Sequence, residues 1–204
     1  MGQWEVASKA RHDFADMLEA CSAEQAGQQT FCAEWSAREL LAHVTAFVET
    51  SGPGLFGAIA KAGFNFDKAS LAMVAKRSDR SISDLAASLR ANGAKTAPLP
   101  GFPQELSVSD VAIHTQDVRR PLGLEGELDP TVLRTALDFL TANKKAKILV
   151  DGRPLDSVRL QATDMDWSFG EGAEISGPGE ALMMAIANRP VLDDLSGDGL
   201  AAWS

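Results

Sequence analysis

The chain has 204 residues, 45% of them hydrophobic and 23% charged, which is enough apolar material for one large domain or two small ones. A net charge of -9 argues against a nucleic-acid partner, whose phosphates call for a basic footprint. No run reaches the roughly 18 consecutive apolar residues that cross a bilayer, and Met1-Gly2-Gln3-Trp4-Glu5 lacks the basic-then-apolar pattern of a secretory signal. A cytoplasmic protein with no membrane partner is the expectation. Cys21 and Cys32 make no C-x-x-C pair and no disulfide framework. They read as small buried hydrophobes near helix ends, without a basic neighbour.

Ala7, Ala10, Phe14, Met17 and Leu18 recur at helical spacing and predict a first amphipathic helix over about 3–21. Ser36-Ala37-Arg38-Glu39 is a capping box that starts a second helix, with Leu40, Leu41, Val44, Phe47 and Val48 on its apolar face. Ser51-Gly52-Pro53-Gly54 interrupts that pattern. A third helical region covers about 67–92, broken near Ser81 and restarting around Ser83-Asp84. The proline-rich stretch 97–103 reads as a loop. A fourth helix is expected from about Val108 to Arg120, capped by Ser107 and ending before Pro121 and Gly123.

After about residue 125 the character changes. One more helix is expected over Pro130–Asn143. Short strands follow at 147–150, 158–162 and 166–169, with a turn at Asp151-Gly152. A helix over 179–188 and a last strand at 200–203 complete the pattern. The reading is an α+β protein: a four-helix bundle over 1–125, then a small α+β domain over 126–204.

Two of the three histidines, His43 and His114, fall where a bundle interior belongs, whereas His12 falls on a solvated face. On the fourth helix Asp110, His114 and Asp117 lie within roughly 60° of one another at 100° per residue. Apolar residues border that stripe on both sides, so it points to a core or cavity where carboxylate and imidazole need partners. Residues four apart have Cβ atoms about 5–6 Å apart, so Asp110 and His114 are able to lean onto one cation while His43 reaches it from a facing helix. Two imidazoles and one carboxylate with an open fourth position is a catalytic zinc arrangement. Other readings stand beside it. Ser107-x-x-Asp110 is also a capping box, and a lone histidine is often a hydrogen-bonded core residue.

The segment Glu34-Trp35-Ser36-Ala37-Arg38-Glu39-Leu40-Leu41-Ala42-His43 resembles the W-[ST]-x-R-[DE]-L-x-x-H signature of the mycothiol-dependent maleylpyruvate isomerase family, within the DinB-like superfamily. Residues 108–117 are similar to its E-x-x-x-H-x-x-D motif, and the segments 162–168, 176–182, 188–190 and 195–199 match its tail in order.

The resemblance implies a DinB-type bundle holding a zinc-like divalent ion, followed by a sterol-carrier-like α+β domain. It places His43 and His114 as metal ligands and Asp110 where the family has glutamate. The shorter aspartate requires a closer helix or a bridging water. Asp117 is then the residue that orients a histidine through its other nitrogen. Arg189 matches a family arginine of the active site, although Asn188 stands where glycine is usual, and a helix C-terminal cap is its plain alternative.

The implied chemistry uses mycothiol or a similar low-molecular-weight thiol as cosubstrate. Bound to the ion it loses its proton, adds to a conjugated double bond of a small electrophile such as maleylpyruvate, and leaves after bond rotation. An S-transferase is the neighbouring possibility. A metal hydrolase using bound hydroxide, with Glu39 or Asp117 as base, and a non-catalytic DinB-like regulatory protein are the rivals. The sequence carries no clear oligomer signal; monomer or homodimer is the expectation.

Overall fold

In the computed structural model, residues 2–95, 103–149 and 153–203 are described. Four helices pack into a bundle: α1 (Gln3–Glu19), α3 (Ala37–Glu49), α6 (Ile82–Asn92) and α7 (Gln104–Leu122). The short α2 (Ala23–Ala26) leads into α3. α4 (Gly52–Lys61) and α5 (Phe66–Ala75) pack on each other, and α5 lies against α3. α8 (Pro130–Ala142) runs along α7, and α9 (Gly179–Ile186) packs on α8. Among the described residues, three strands form one sheet in the order β2 (Ser168–Phe169), β1 (Val158–Ala162), β3 (Ala173–Gly177). β1 pairs antiparallel with β2 and parallel with β3, with Leu160 opposite both Phe169 and Ile175. The result is an α+β fold with a helical N-terminal part, as expected. A continuous apolar core runs from Phe14, Leu41 and Leu89 in the bundle through Leu137 to Leu160, Ile175 and Leu182.

Several boundaries differ from the sequence reading, each for a local reason. Ser51 does end one helical pattern, but it caps the next: its hydroxyl accepts from Gly54 N, and Pro53 sits in the first turn of α4, where its missing N–H costs nothing. α6 starts at Ile82 because Ser81 and Asp84 form the capping box. α7 starts a turn before Ser107, after Pro103, so Ser107 lies inside the helix and Asp110 caps nothing. The same helix runs through Pro121 to Leu122 and stops at Gly123, whose φ is 61°. The loop expected at 97–103 lies outside the described residues except for Pro103.

The strand expected at 147–150 is instead a 3-10 helix, Lys144–Ile148, started by Asn143 Oδ1 accepting from Lys145 N. Val150 and the expected turn at Asp151-Gly152 lie outside the described residues. The strand expected at 166–169 shortens to two residues. The strand expected at 200–203 is a 3-10 helix, Asp198–Ala202. Gly197, at φ 114°, turns the chain where a Cβ would strike the Glu174 carbonyl, and Trp203 is buried with Nε1 donating to Pro154 O at 2.9 Å. No helix among the described residues is long and apolar enough to cross a membrane.

The turn between α5 and α6 is clamped from α3. Arg38 Nη2 donates to the carbonyls of Ser78 (2.5 Å) and Arg80. Glu49, at the other end of α3, accepts from Arg77 Nε (2.9 Å), Arg80 Nη1 (2.6 Å) and the Ser88 hydroxyl. Burial pushes the Glu49 carboxyl up, but the Ser88, Arg80 and Arg77 donors outweigh it and hold it below its ordinary value. A carboxylate with a depressed folded pKa stabilises above its unfolded pKa, and that contribution disappears as pH falls through the folded value. Glu49→Ala is therefore expected to cost about 1–3 kcal/mol at neutral pH. The gap to the wild type should narrow below about pH 4. Urea unfolding of both proteins at neutral and acid pH measures it.

Candidate metal centre

The signature-like segment 34–43 folds into a small device. Ser36 and Glu39 close a capping box: the Glu39 carboxylate accepts from Ser36 N (2.8 Å) and from the Ser36 hydroxyl (2.7 Å), and Glu39 N donates back to it. That fixes the start of α3 and leads Trp35 back over His43, ring centroids 4.3 Å apart. Phe47, one turn on, meets the other side of the imidazole at 5.0 Å. His43 is 5% exposed, and its Nδ1 is buried without a hydrogen-bond partner among the described residues. Burial pushes it down to about 3, against the pull of Asp110, so it is a neutral imidazole with lone-pair capacity at neutral pH.

α7 supplies the rest. The rings of His43 and His114 lie 5.1 Å apart, edge to face. His114 Nε2 faces Asp110 Oδ1 at 3.5 Å, and its Nδ1 faces Asp117 Oδ2 at 3.0 Å. One donor atom each from His43, Asp110 and His114 lie within 4.8 Å of one another. Two donors bound about 2.0–2.2 Å from a tetrahedral ion lie roughly 3.3–3.6 Å apart, which is the Asp110–His114 separation. The donor set and the spacing fit a divalent ion, and the aspartate is long enough for that spacing.

The electrostatics agree. Burial works against charge on His114, but Asp110 and Asp117 on its two nitrogens, with Cys32 beside them, raise it well above its ordinary value. A proton and a metal ion thus compete for Nε2. Burial likewise opposes the Asp110 carboxylate, while His114, His43 and the more distant Arg11 hold it below its usual value.

Asp117 has no exposed side-chain surface and a full set of donors. Besides His114 it accepts from Arg189 Nε (2.7 Å), Arg189 Nη2 (2.8 Å) and the Cys32 thiol (3.3 Å). Burial opposes its charge, yet Arg189 and His114 hold its carboxyl down to about 2. Such a carboxylate fixes the tautomer of a ligating histidine.

Arg189 arrives from the end of α9. Asn188 takes the left-handed conformation, φ 59°, that glycine would otherwise supply, and Arg189 N donates to Met184 O at 2.9 Å. Its side chain also caps, with Nη1 donating to Ala187 O at 3.1 Å. Nη2 further donates to Cys32 Sγ at 3.4 Å. Of five guanidinium N–H groups, these contacts among the described residues leave one, on Nη1, for a ligand.

Cys32 overturns the expectation of a cysteine without a basic neighbour: Arg189 and His114 both lie beside its sulfur. The cause is Pro121. Lacking an N–H, it leaves the Asp117 carbonyl without its helical donor, and Phe31 N fills the place at 3.0 Å. That bond lays the 30–35 loop across α7 at Asp117. A proline inside a helix leaves the carbonyl four residues before it open to a donor, and here the 30–35 loop supplies one.

His43, Asp110, His114, Cys32 and Arg189 share a cavity of about 570 Å³. Its apolar wall is Trp35, Phe66, Leu71, Ile113 and Leu149, and Glu34, Asp67 and Ser70 add polar groups that sequence reasoning missed. The two carboxylates named as hydrolytic bases lie elsewhere, Glu39 in its capping box and Asp117 behind His114.

A family profile described as "Mycothiol maleylpyruvate isomerase N-terminal domain" matches residues 7–119, more than half of the chain. The chain belongs to this family. Two crystal structures of the mycothiol-dependent maleylpyruvate isomerase share the fold at 14% identity, covering 96% of this chain and 91% of theirs. The TM-score is 0.63 for a histidine-to-alanine mutant and 0.56 for the other. No curated protein matches the sequence.

Proposed function

We propose that this member of the mycothiol maleylpyruvate isomerase family is a metal-dependent enzyme that holds a divalent ion, zinc first among candidates, on His43, Asp110 and His114. The observation that carries this reading is the convergence of those three side chains, one of them a neutral imidazole, on one cavity. An ion there supplies the means of keeping a small thiol deprotonated at neutral pH. The family's name supplies the thiol, mycothiol, and the substrate type, a small carboxylate-bearing electrophile.

The chain's own residues then divide the work. Trp35 and Phe47 pack His43 in place, and Asp117 orients His114. Arg189 presents its remaining Nη1 hydrogen to a substrate carboxylate, a single charge-assisted bond rather than a fork. The apolar wall limits water around the reacting sulfur.

The test is isomerisation of maleylpyruvate by the purified protein with and without mycothiol. Thiol-dependent turnover abolished by a chelator and restored by zinc is the expected result. Turnover of esters or amides without any thiol would favour hydrolysis, with Glu34 or Asp67 as base in place of Glu39 and Asp117. Failure to bind any metal would favour a non-catalytic role.

A further inference from the structure

We infer that the electrophile this cavity takes is zwitterionic, with one carboxylate for Arg189 and a protonated amine for Glu34 and Asp67 at the mouth, and that a second carboxylate there is rejected. The inference rests on the proposed function for the cavity's being the active site, not for the ion, and adds the charge of the substrate.

The cavity wall carries three carboxylates, Glu34, Asp67 and Asp110, and among the described residues one fixed cation, Arg189. No lysine, arginine or histidine occurs at the positions outside the described residues. Arg189 is largely committed already. Its Nε and Nη2 donate to Asp117 at 2.7 and 2.8 Å, which neutralises its charge locally, and the N–H left on Nη1 serves one carboxylate oxygen. A divalent ion held with Asp110 and one thiolate adds no net charge. A dicarboxylate therefore meets one hydrogen-bond donor and no free positive charge.

Glu34, on the 30–35 loop, and Asp67, in the first turn of α5, are exposed residues that also line the cavity, so they sit at its mouth. Neither side chain makes an ion pair or a hydrogen bond among the described residues. Two unpaired carboxylates at the mouth of one cleft attract a cation and repel an anion, and low-dielectric walls focus that field. Phe66, Leu71, Ile113 and Leu149 make much of the remaining wall apolar, which suits the carbon skeleton of a short unsaturated chain. The specificity thus has an attractive part, for the amine, and a repulsive part, against a second carboxylate.

The probes are trans-4-aminocrotonate, fumarate and crotonate. They share one conjugated carboxylate and differ at the far end, in a cation, an anion and a methyl group. Their dissociation constants are measured by ligand-observed NMR on zinc-loaded and on chelator-treated protein. Aminocrotonate is expected to bind at least about tenfold more tightly than fumarate in both forms. Glu34→Gln and Asp67→Asn, both at exposed positions, should each narrow that ratio about two- to fivefold and together bring aminocrotonate to the affinity of crotonate. Maleylpyruvate carries two carboxylates, so its KM should fall about three- to tenfold in the double variant. Fumarate binding as tightly as aminocrotonate would overturn the inference, as would a preference that survives the double substitution or no binding of any probe to either form. A preference for aminocrotonate in protein that never holds zinc would overturn the metal reading and leave this one standing.

Discussion

Asp117→Ala should lower stability by about 3–5 kcal/mol, the range for breaking a buried ion pair by removing one partner. The carboxylate is completely buried and paired to Arg189 through two hydrogen bonds, 2.7 and 2.8 Å, that join the end of α9 to α7. Its loss strands the guanidinium, 20% exposed, beside Cys32 with no countercharge. His114 loses the acceptor on Nδ1 at the same time, so metal affinity should fall about 10–100-fold. Asp117→Asn keeps an acceptor for the imidazole and should recover part of the metal affinity while remaining less stable than the wild type.

The pH dependence has a definite sign. With the folded carboxyl held down to about 2, the Asp117 contribution is complete above its unfolded pKa and is lost as pH falls below that and through the folded value. Urea unfolding across acid pH, with metal titrations of the three proteins, measures both effects. A difference between wild type and Asp117→Ala that stays constant into strong acid would count against the ion pair.

His43→Ala and His114→Ala are each expected to take metal content from one ion per chain to near zero, since two remaining donors do not hold an ion against buffer. His43→Ala is the cleaner variant. Among the described residues His43 makes no ion pair, and its ring packs on those of Trp35, Phe47 and His114, so the loss is mainly one of packing, about 2–4 kcal/mol. Asp110→Ala, which also leaves two donors, should lose the ion as the histidine variants do, and Asp110→Glu should bind. Elemental analysis of each purified variant decides the matter, with circular dichroism confirming the helical content. Equal metal in wild type and both histidine variants would remove these residues from the site.

Much of this site was legible before any coordinates because it is written in short-range periodicity. Asp110, His114 and Asp117 fall on one stripe of one helix, and Ser36-x-x-Glu39 marks where α3 begins and hence where His43 points. The helical elements of the bundle followed from the same two signals, apolar periodicity and caps. The errors sit where a local pattern had two uses. Ser107-x-x-Asp110 reads as a cap, but α7 had already started after Pro103. Residues 200–203 have strand-like apolar character, but after the turn at Gly197 they form a 3-10 helix packed on β3 rather than a paired strand, and the Trp203 indole donates to a backbone carbonyl.

Contacts between distant segments were not legible at all. Cys32 and Arg189 are 157 positions apart, and only the fold makes the cysteine's surroundings cationic. Arg38, a conspicuous member of the signature-like segment, clamps the turn before α6 and is not on the cavity wall. Arg189 was marked by resemblance alone, and its commitment to Asp117 appears only once α9 is placed against α7.

An ion on the proposed His43, Asp110 and His114 donors is expected to bind a small thiol directly. Cobalt(II) substitution makes that visible, because cobalt replaces zinc in such donor sets and its absorption reports its ligands. Titrating mycothiol into the cobalt-loaded protein should produce a sulfur-to-cobalt charge-transfer band that saturates at one thiol per ion and is absent in His43→Ala. A cobalt spectrum that does not change on adding the thiol would contradict the account.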